Sequence, residues 1–269
     1  VHYNGVKINI VDTPGHMDFL AEVQRSLAVL DGAVLVISAR DGVQAQTRIL
    51  FHALRELGIP TLLFVNKIDQ DGVDLAAVHE DIREKLTPKI IVKQRVDLAA
   101  LAVTPSDDPA RWDDVIAGDD GLLARFERGE PLSEELLVRC EGERFQALTL
   151  FPVYHGSAKK GVGTRALLDA IVLHFSPIAS RGLSLCGTVF KIEYPEKGKR
   201  LAYLRLYGGR LHARARIDWA GRREKLKIRE MRIPQCGKIR RSDEAGPGEI
   251  VVLSGTPLKL NDVLGDPKL

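Results

Sequence analysis

The sequence predicts an α/β protein in which a doubly wound, mostly parallel sheet is followed by an antiparallel β-barrel. Residues 6–70 alternate apolar runs with amphipathic helical patterns, the order expected of βαβ units. From Leu183 onward, short, partly alternating segments are separated by Gly-rich turns, and helical patterns nearly vanish. Charge changes at the same place: residues 1–180 hold 19 Lys and Arg against 26 Asp and Glu, whereas residues 181–269 hold 20 against 10.

The first predicted strand is VKINIV at residues 6–11. A helix is predicted to follow it, because Phe19, Val23, Leu27 and Leu30 recur at spacings of four and three. Together they predict the opening strand and helix of a βαβ unit.

Two continuous apolar runs, AVLVISA at residues 33–39 and TLLFV at residues 61–65, predict strands buried on both faces. Helices are predicted over 45–57, ending at Gly58-Ile59-Pro60, and over 75–86. Since ligands of such sheets bind beyond the carboxyl ends of the strands, polar residues directly after these runs are the candidates for a site.

Residues 88–150 interrupt the alternation and are predicted to be an insertion, with Ser133 as the N-cap of a helix. The alternation returns with FPVYHGSAK, a strand running into a loop, and a helix near residues 164–174. A linker is predicted over 176–184. The predicted domains are therefore a parallel-sheet domain at 1–180, which contains the insertion, and a barrel at 181–269.

Composition excludes several classes of protein. The 269 residues are 45% hydrophobic, and the apolar runs are far shorter than the roughly 20 residues of a membrane span. Cys140, Cys186 and Cys236 are widely spaced without a CxxC pair, so packing residues in a reducing cytosol fit better than disulfides or zinc. The basic barrel suggests a polyanionic partner such as nucleic acid, although a solvated face explains the charge equally well.

The first motif is Asp12-Thr13-Pro14-Gly15-His16, directly after the first predicted strand. A carboxylate at a strand end can hold Mg²⁺ through water. A glycine allows a backbone N–H to approach a γ-phosphate, and the histidine could orient an attacking water. A plain turn remains the alternative for this motif taken alone.

Two further motifs follow later strands in the order of a guanine-nucleotide site. Asn66-Lys67-Ile68-Asp69 offers a carboxylate that can accept two hydrogen bonds from the N1–H and N2–H₂ edge of guanine. Gly156-Ser157-Ala158-Lys159 offers backbone N–H groups for guanine O6. The phosphate-cradling pattern G-x-x-x-x-G-K-[ST] occurs nowhere in the 269 residues.

These three motifs in this order resemble those of translational GTPases, which have a P-loop-GTPase-type sheet followed by a barrel domain. In five stretches the resemblance becomes more particular and points to the tetracycline-resistance ribosomal protection proteins, relatives of elongation factor G. The stretches are DTPGHMDFLAEVQRSLAVLDG, NKIDQDG, TLFPVYHGSAK, LCGTVFKIEY and RLAYLRLYGGRLH.

The resemblance implies a cytoplasmic, monomeric protein that binds the ribosome with GTP and Mg²⁺, releases tetracycline and hydrolyses GTP to GDP. It implies that the barrel contacts ribosomal RNA. Carried over by position, His16 is the catalytic histidine that orients water. The implied nucleotide-binding residues are Asp12, which also holds Mg²⁺ through water, Gly15, Asn66, Lys67, Asp69, Ser157, Ala158 and Lys159.

The resemblance also implies that the chain is an internal piece, in which the first sheet strand and the phosphate loop are missing. The isolated chain is then expected to be inactive as a GTPase, although its parent is an enzyme. Two other functions stay open at this point. One is an elongation factor G-like GTPase without resistance activity, and the other is a non-catalytic module that binds ribosomal RNA through its barrel.

Overall fold

The chain folds into two compact units, Leu30–Phe175 and Val1–Val29 together with Ser176–Leu269. Each unit has its own hydrophobic core. The predicted boundary at residues 180 and 181 stays a prediction. The computed structural model describes residues 1–12, 27, 29–175, 184–195, 200–235 and 238–266.

The N-terminal stretch forms a short hairpin of β1 (His2–Tyr3) and β2 (Val6–Lys7). The predicted six-residue strand at 6–11 is wrong beyond Lys7, because residues 8–12 carry no regular structure. Instead Val11 packs into an apolar cluster with barrel residues, and the Lys7 ammonium lies 2.8 Å from the Glu249 carboxylate. Most of the helix predicted to follow lies outside the described residues.

The unit Leu30–Phe175 is built on a four-stranded parallel sheet in the order β3-β4-β8-β5. The strands β6 and β7 form a separate antiparallel hairpin. The strands of this unit are β3 (Ala33–Ser38), β4 (Thr61–Asn66), β5 (Ile90–Val92), β6 (Gln94–Asp97), β7 (Ala102–Pro105) and β8 (Phe151–His155).

Six helices and one 3₁₀ turn are described in the same unit. The helices at 45–56, 75–85, 134–146 and 164–174 lie close to the predicted positions because their sequences carry apolar stripes with start or stop signals, whereas those at 113–117 and 120–127 were not predicted. The helices are α1 (Ala45–Glu56), α2 (Leu75–Lys85), α3 (Asp113–Ala117), α4 (Asp120–Glu127), α5 (Glu134–Gln146) and α6 (Thr164–His174), and the 3₁₀ turn is Pro109–Trp112.

Helices cover both faces of the parallel sheet, which confirms the predicted doubly wound arrangement. On one face, Phe51 of α1 and Ile82 of α2 share a cluster with Leu63 of β4. On the other face, Phe145 of α5 and Ala170 of α6 share a cluster with Leu62 and Phe64 of β4. Alternate side chains of one buried strand therefore supply two cores.

Residues 88–150 hold more of the sheet than the sequence indicated. The strand β5 lies within this range and pairs in parallel with β8, although its three residues gave no clear strand signal. The predicted N-cap is confirmed, since Ser133 Oγ accepts a hydrogen bond from the Leu136 N–H at 3.3 Å.

The strand β3 pairs on one side only within the part of the chain that is described. The backbone N–H groups of Ala33 and Ala39 donate to carbonyls at the two ends of β4. Because successive N–H groups of a strand point to opposite sides, those of Val34 and Val36 point to the open edge. The Val36 side chain is 55% exposed, so the prediction that this strand is buried on both faces is wrong. The sequence AVLVIS contains no charged residue or proline that would protect this edge.

The C-terminal strands form the antiparallel barrel that the sequence predicted. Its core contains Leu204, Leu206, Val251, Leu253 and Leu264. A six-stranded sheet has the order β15-β14-β17-β10-β9-β18, and two two-stranded sheets pair β11 with β16 and β12 with β13. The strands are β9 (Cys186–Glu193), β10 (Leu201–Gly208), β11 (Leu211–His212), β12 (Arg216–Ile217), β13 (Leu226–Lys227), β14 (Met231–Gln235), β15 (Lys238–Arg241), β16 (Glu244–Ala245), β17 (Ile250–Ser254) and β18 (Val263–Gly265).

Among the described helices, each is too short or too polar to cross a membrane.

Candidate guanine-nucleotide site

Three neighbouring parallel strands end at the same edge of the sheet. Ser38 of β3 is in register with Asn66 of β4, and Val65 of β4 is in register with His155 of β8. The loops that follow β4 and β8 carry polar motifs predicted from the sequence. The carboxyl edge of the sheet therefore gathers them, as expected for a doubly wound fold.

Asn66 ties two of these loops together. Its side-chain oxygen accepts hydrogen bonds from the N–H of Lys67 at 2.8 Å and from the N–H of Ala158 at 2.9 Å. One amide oxygen has two lone pairs, and both are used here. The Asn66 side chain thus links the two predicted motifs.

Backbone hydrogen bonds reinforce the same junction. The N–H of Ile68 donates to the Gly156 carbonyl at 3.3 Å, and the N–H of Gly156 donates to the Val65 carbonyl at 2.9 Å. The Ile68 side chain is only 2% exposed and anchors its loop in the core under the sheet edge. The Asn66–Asp69 loop and the Gly156–Lys159 loop thus form one rigid junction.

The loop after β8 closes on itself through Ser157. The Ser157 N–H donates to the Val162 carbonyl at 3.0 Å, and the Val162 N–H donates back to the Ser157 carbonyl at 3.1 Å. Gly163 then has φ +75°, and a Cβ at this position would lie 2.1 Å from the His155 carbonyl oxygen. Only glycine fits there, because both the dihedral angle and the close approach exclude a side chain.

Asp69 faces the Ser157 hydroxyl across the junction. A hydrogen bond from the Ser157 side chain lowers the pKa of the Asp69 carboxyl, and desolvation raises it by a smaller amount. A hydrogen bond from the backbone N–H of Asp69 and the charges of Lys159 and Lys160 lower this pKa further. The carboxylate is therefore ionised and acceptor-only at neutral pH. Such a group matches the paired N–H donors on the guanine edge.

Lys67 is held in an unusual conformation beside a carboxylate that the sequence analysis missed. Its φ is +66°, and its ammonium lies 3.6 Å from Asp41, which follows β3. A hydrogen bond from Ser38, and to a smaller extent the charge of Lys67, lower the pKa of the Asp41 carboxyl. The position of Asp41 just after a buried strand was the available signal.

Two histidines lie behind the base loop. His155, fully buried, has its Nε2 2.8 Å from His79 Nε2, and its backbone N–H donates to the Gln94 side chain at 2.7 Å. Burial, and then the charge of His79, lowers the pKa of His155 to about 3, so the ring is neutral. This pair and Gln94 were not assigned to the site from the sequence, which gave no periodic signal for them.

The phosphate end of the predicted site is described less fully. Asp12 is exposed and belongs to the unit that contains the barrel. Gly15 and His16 lie outside the described residues. Within the ranges described, no cluster of three or more His, Cys, Asp or Glu could hold a metal ion. Binding of Mg²⁺ by Asp12 through water stays a prediction.

The structure thus brings together six of the predicted residues. Their arrangement can recognise the edge of a purine base by hydrogen bonds to one carboxylate and to backbone N–H groups. The six residues are Asn66, Lys67, Asp69, Ser157, Ala158 and Lys159.

A parallel sheet with these two loops at its carboxyl edge, followed along the chain by an antiparallel barrel, agrees with two family models. Residues 1–177 match the model of the elongation factor Tu GTP-binding domain, and residues 184–266 match that of elongation factor G domain 2. The chain belongs to the elongation factor Tu GTP-binding domain family.

Curated relatives are similar over nearly the whole chain. Tetracycline resistance protein TetW of Butyrivibrio fibrisolvens is 58% identical, with 97% of this chain and 41% of the relative covered. Tetracycline resistance protein TetM from transposon Tn5251 of Streptococcus pneumoniae is 54% identical, with 99% and 42% covered. The chain thus spans about two fifths of the length of these relatives.

A crystal structure of a protein from Thermus thermophilus has the same fold. It superposes with a TM-score of 0.82 over 99% of this chain and 45% of that chain, at 23% sequence identity. At this identity the similarity establishes the fold alone.

Proposed function

We propose that the chain is the guanine-nucleotide-binding and barrel portion of a ribosomal protection protein. The whole protein binds the ribosome with GTP, releases tetracycline and hydrolyses GTP to GDP and phosphate. The observation that carries the nucleotide part is the bridge made by Asn66 between the N–H groups of Lys67 and Ala158. The similarity to tetracycline resistance proteins supports the remainder.

In this proposal the base is read by groups that already stand in place. The ionised Asp69 carboxylate accepts hydrogen bonds from guanine N1–H and N2–H₂. The Ala158 N–H is taken by Asn66, so the Lys159 N–H donates to O6, and the stem of Lys67 lies along the face of the base. Adenine lacks the paired donors, so an ATP complex leaves Asp69 without hydrogen bonds and is disfavoured.

At the phosphate end, the proposed roles are those of the Asp12–His16 motif. Asp12 holds Mg²⁺ through water, and the ion supplies positive charge next to the phosphate oxygens. The Gly15 N–H donates to the γ-phosphate, and His16 orients the attacking water. The proposed location is the cytoplasm, with the ribosome as partner of a monomeric protein.

Calorimetric titration of the chain with GDP, GTP and ATP tests the base site. We expect guanine-selective binding that Asp69→Asn weakens by roughly 100-fold, since hydrogen bonds to an ionised acceptor are the strong ones and the amide lacks that charge. Asp71→Asn is the matched control, because Asp71 is exposed and two residues away. Equal binding of ATP and GTP, or no effect of Asp69→Asn, would contradict the assignment.

GTP hydrolysis is proposed to need a phosphate-binding loop in addition to the residues of this chain. The G-x-x-x-x-G-K-[ST] pattern does not occur in the chain, and its lysine and backbone N–H groups supply much of the charge stabilisation in phosphoryl transfer. We expect negligible GTP turnover by the chain, with or without ribosomes. Ribosome-stimulated turnover by the purified chain would overturn this expectation.

The role of His16 is tested in the full-length protein. We expect His16→Ala to retain nucleotide affinity and to lose ribosome-stimulated hydrolysis, because the substitution removes the group that orients water. Turnover measured at saturating GTP separates the two effects. Unchanged turnover would reject the role.

A second function is favoured by the basic barrel, which carries 20 Lys and Arg against 10 Asp and Glu after residue 180. In that case the chain alone acts as a non-catalytic module that binds ribosomal RNA. An elongation factor G-like GTPase without resistance activity is the third possibility, and a tetracycline-resistance assay in cells expressing the whole protein decides it.

A further inference from the structure

The loop at residues 39–44, which follows β3, is fixed at the same edge of the sheet as the two loops that carry the base motifs. The Ala39 N–H donates to the Asn66 carbonyl at 2.8 Å, which joins the start of the loop to β4. The Gly42 N–H donates to the Ser38 carbonyl at 2.9 Å, which closes a turn. The loop therefore starts from a defined position beside Asn66.

The helix α2 holds the other end of this loop. One oxygen of Asp81 accepts a hydrogen bond from the Val43 N–H at 2.6 Å, and its other oxygen lies 2.5 Å from the Lys85 ammonium. Glycine suits the turn at Gly42, because its φ is +64° and a Cβ would lie 2.6 Å from the Asp81 carboxylate. The helix thus sets the direction in which the loop presents its side chains.

Asp41 extends from this loop toward Lys67. The Asp41 carboxylate lies 3.6 Å from the Lys67 ammonium, and the two side chains are 51% and 49% exposed. The Ser38 hydroxyl donates to the Asp41 carboxylate, and its oxygen accepts a hydrogen bond from the Asp41 N–H at 3.3 Å. Ser38 therefore orients the carboxylate that faces the lysine.

The stability of the fold does not account for this contact. An ion pair with both partners half exposed contributes little to stability. Lys67 also has φ +66°, a left-handed conformation that is unfavourable for a residue with a Cβ. Backbone strain of this kind is concentrated at ligand sites. Both features are therefore better explained by the position that the lysine has to take.

A second carboxylate lies closer to Lys67 along the chain. Asp69 belongs to the same loop, yet the Lys67 ammonium pairs with Asp41, and among the described residues no ion pair joins Lys67 to Asp69. The charges that act on Asp69 are those of Lys159 and Lys160. A lysine free to turn toward Asp69 would occupy acceptor oxygens that guanine needs.

We propose that Asp41 is a positioning residue for guanine specificity, which holds the Lys67 ammonium away from Asp69 and directs the stem of the lysine along the face of the base. Both oxygens of Asp69 then stay available to guanine N1–H and N2–H₂. The carbon stem of Lys67 presents an apolar surface to the base while its ammonium remains paired. This role rests on the proposed function, and it adds a third loop to the two that the motifs identify.

Carbon-13 NMR titration of the Asp69 carboxyl tests the position of Lys67 without any nucleotide. We expect Asp41→Asn to lower the pKa of Asp69 further, because the released Lys67 ammonium moves next to it. The double variant Asp41→Asn/Lys67→Met should leave this pKa unchanged, since methionine has a similar length and no charge. An unchanged pKa of Asp69 in Asp41→Asn alone would overturn the proposal.

Calorimetric titration with GDP and with inosine diphosphate, whose base lacks the 2-amino group, measures the specificity. We expect Asp41→Asn to weaken GDP binding about 3- to 5-fold, the upper range for an exposed ion pair. The loss for inosine diphosphate should be smaller, because its base makes fewer hydrogen bonds to Asp69. Equal losses for the two nucleotides would contradict an effect on the Asp69 carboxylate.

The same titration in a Lys67→Met background separates action through the lysine from a direct contact of Asp41 with the nucleotide. There, Asp41→Asn should change GDP affinity less than about 1.5-fold, since the ion pair is already absent. An equal effect in both backgrounds would overturn a role that acts through Lys67.

Two variants control for charge and for folding. Asp71→Asn makes the same charge change at an exposed aspartate near the base motif and should alter neither the pKa of Asp69 nor the GDP affinity. A loss equal to that of Asp41→Asn would reduce the effect to net charge and reject the proposal. Asp41→Glu keeps the charge and should retain most of the specificity, and a loss as large as in Asp41→Asn would reject the ion pair.

If Asp41→Asn fails to fold, Ser38→Ala tests the same contact by removing the hydrogen bond that orients the Asp41 carboxylate. We expect a smaller loss of GDP affinity in the same direction, and an unchanged affinity would contradict the positioning role.

Failure of the base site and failure of the positioning role give different results. Equal binding of GDP and ATP rejects the base site, while the titration of Asp69 still reports where Lys67 lies. Guanine selectivity that Asp69→Asn abolishes and Asp41→Asn leaves unchanged rejects the positioning role alone.

Discussion

The base loops and the strand pair β12–β13 of the barrel arrange polar groups in opposite ways. Around Asn66 and Ser157, donors and acceptors meet partners at fixed distances, and Asp69 is supported from several sides. In the barrel, Arg216 of β12 lies opposite Lys227 of β13 without a neutralising carboxylate among the described residues. The base loops therefore have their polar groups hydrogen-bonded within the protein, whereas the facing cations of this strand pair leave positive charge for solvent and salt to screen.

Acid gives the largest expected contrast between the two units. Burial first, and then the charge of His79, lowers the pKa of His155 to about 3, and burial, then Lys93, lowers the pKa of His174 to about 4. The unfolded chain binds these protons near pH 6.5, so stability is lost as pH falls from about 6.5 toward 3. The described histidines of the other unit, His2 and His212, are exposed.

We therefore expect the unit Leu30–Phe175 to lose several kcal/mol of stability between about pH 6.5 and pH 4, while the barrel changes little. Chemical denaturation followed by NMR signals of each unit measures this contrast. His155→Gln should flatten the pH dependence, and His212→Gln should not. If the barrel unfolds at a higher pH than the unit Leu30–Phe175, the expected difference between the two units is wrong.

A glycine pair tests how tightly the base loop is assembled. Gly161 and Gly163 both have positive φ, at +73° and +75°, but a Cβ at Gly161 meets nothing within 4 Å. Gly161→Ala should cost about 1–2 kcal/mol from the left-handed backbone alone. Gly163→Ala should cost on the order of 3 kcal/mol, since it adds a clash with the His155 carbonyl.

Thermal unfolding and GDP titration of both glycine variants supply the measurement. Equal costs in stability at the two positions would show that the loop relaxes readily, contrary to the rigid junction described. Loss of GDP affinity is expected for Gly163→Ala alone.

Asn66 offers a smaller effect. Asn66→Ala removes the acceptor of two backbone N–H groups and should cost about 1–2 kcal/mol, with a parallel loss of GDP affinity. Asn66→Asp keeps an acceptor oxygen and should retain most of the stability. If both variants retain wild-type stability and affinity, the bridge between the loops has no energetic role.

The smallest expected effect is a change in the stability of the hairpin β12–β13 with salt concentration. Screening relieves the repulsion between Arg216 and Lys227, so the hairpin β12–β13 should gain a few tenths of a kcal/mol as salt rises. Hydrogen exchange of the Ile228 amide, which donates to Ala215 at 2.9 Å, reports this hairpin. Faster exchange at high salt would show that the facing charges do not repel, and Arg216→Gln should abolish the response.

Local patterns predicted much of the fold because the signals were strong. The strands around Leu35 and Leu63 are continuous apolar runs, although only the second is buried throughout, and the Ser133 cap precedes an amphipathic helix. The strand Ile90–Val92 was missed, since three residues carry too little pattern and its place depends on pairing with β8. The strand predicted through Val11 was wrong because an apolar run does not specify its partner, and Val11 packs on the barrel.

The base site was predicted in its residues but not in its supports. Asn66, Asp69 and Ser157 follow strands and have recognisable side-chain chemistry. Asp41 reaches Lys67 from another loop, and the contact of His79 with His155 joins a helix to a strand 76 residues away. Such contacts are set by the tertiary fold, so a single sequence gives no local signal for them.

The open edge at β3 has a practical consequence. Within the described part of the chain, its outward backbone groups at Val34 and Val36 and the 55% exposed Val36 side chain form a template onto which an added strand can pair. We therefore expect a short synthetic peptide of β-branched residues to pair with this edge, so that a labelled peptide could mark or immobilise the protein. We expect the same edge to limit the solubility of the chain, and Val36→Lys to raise it.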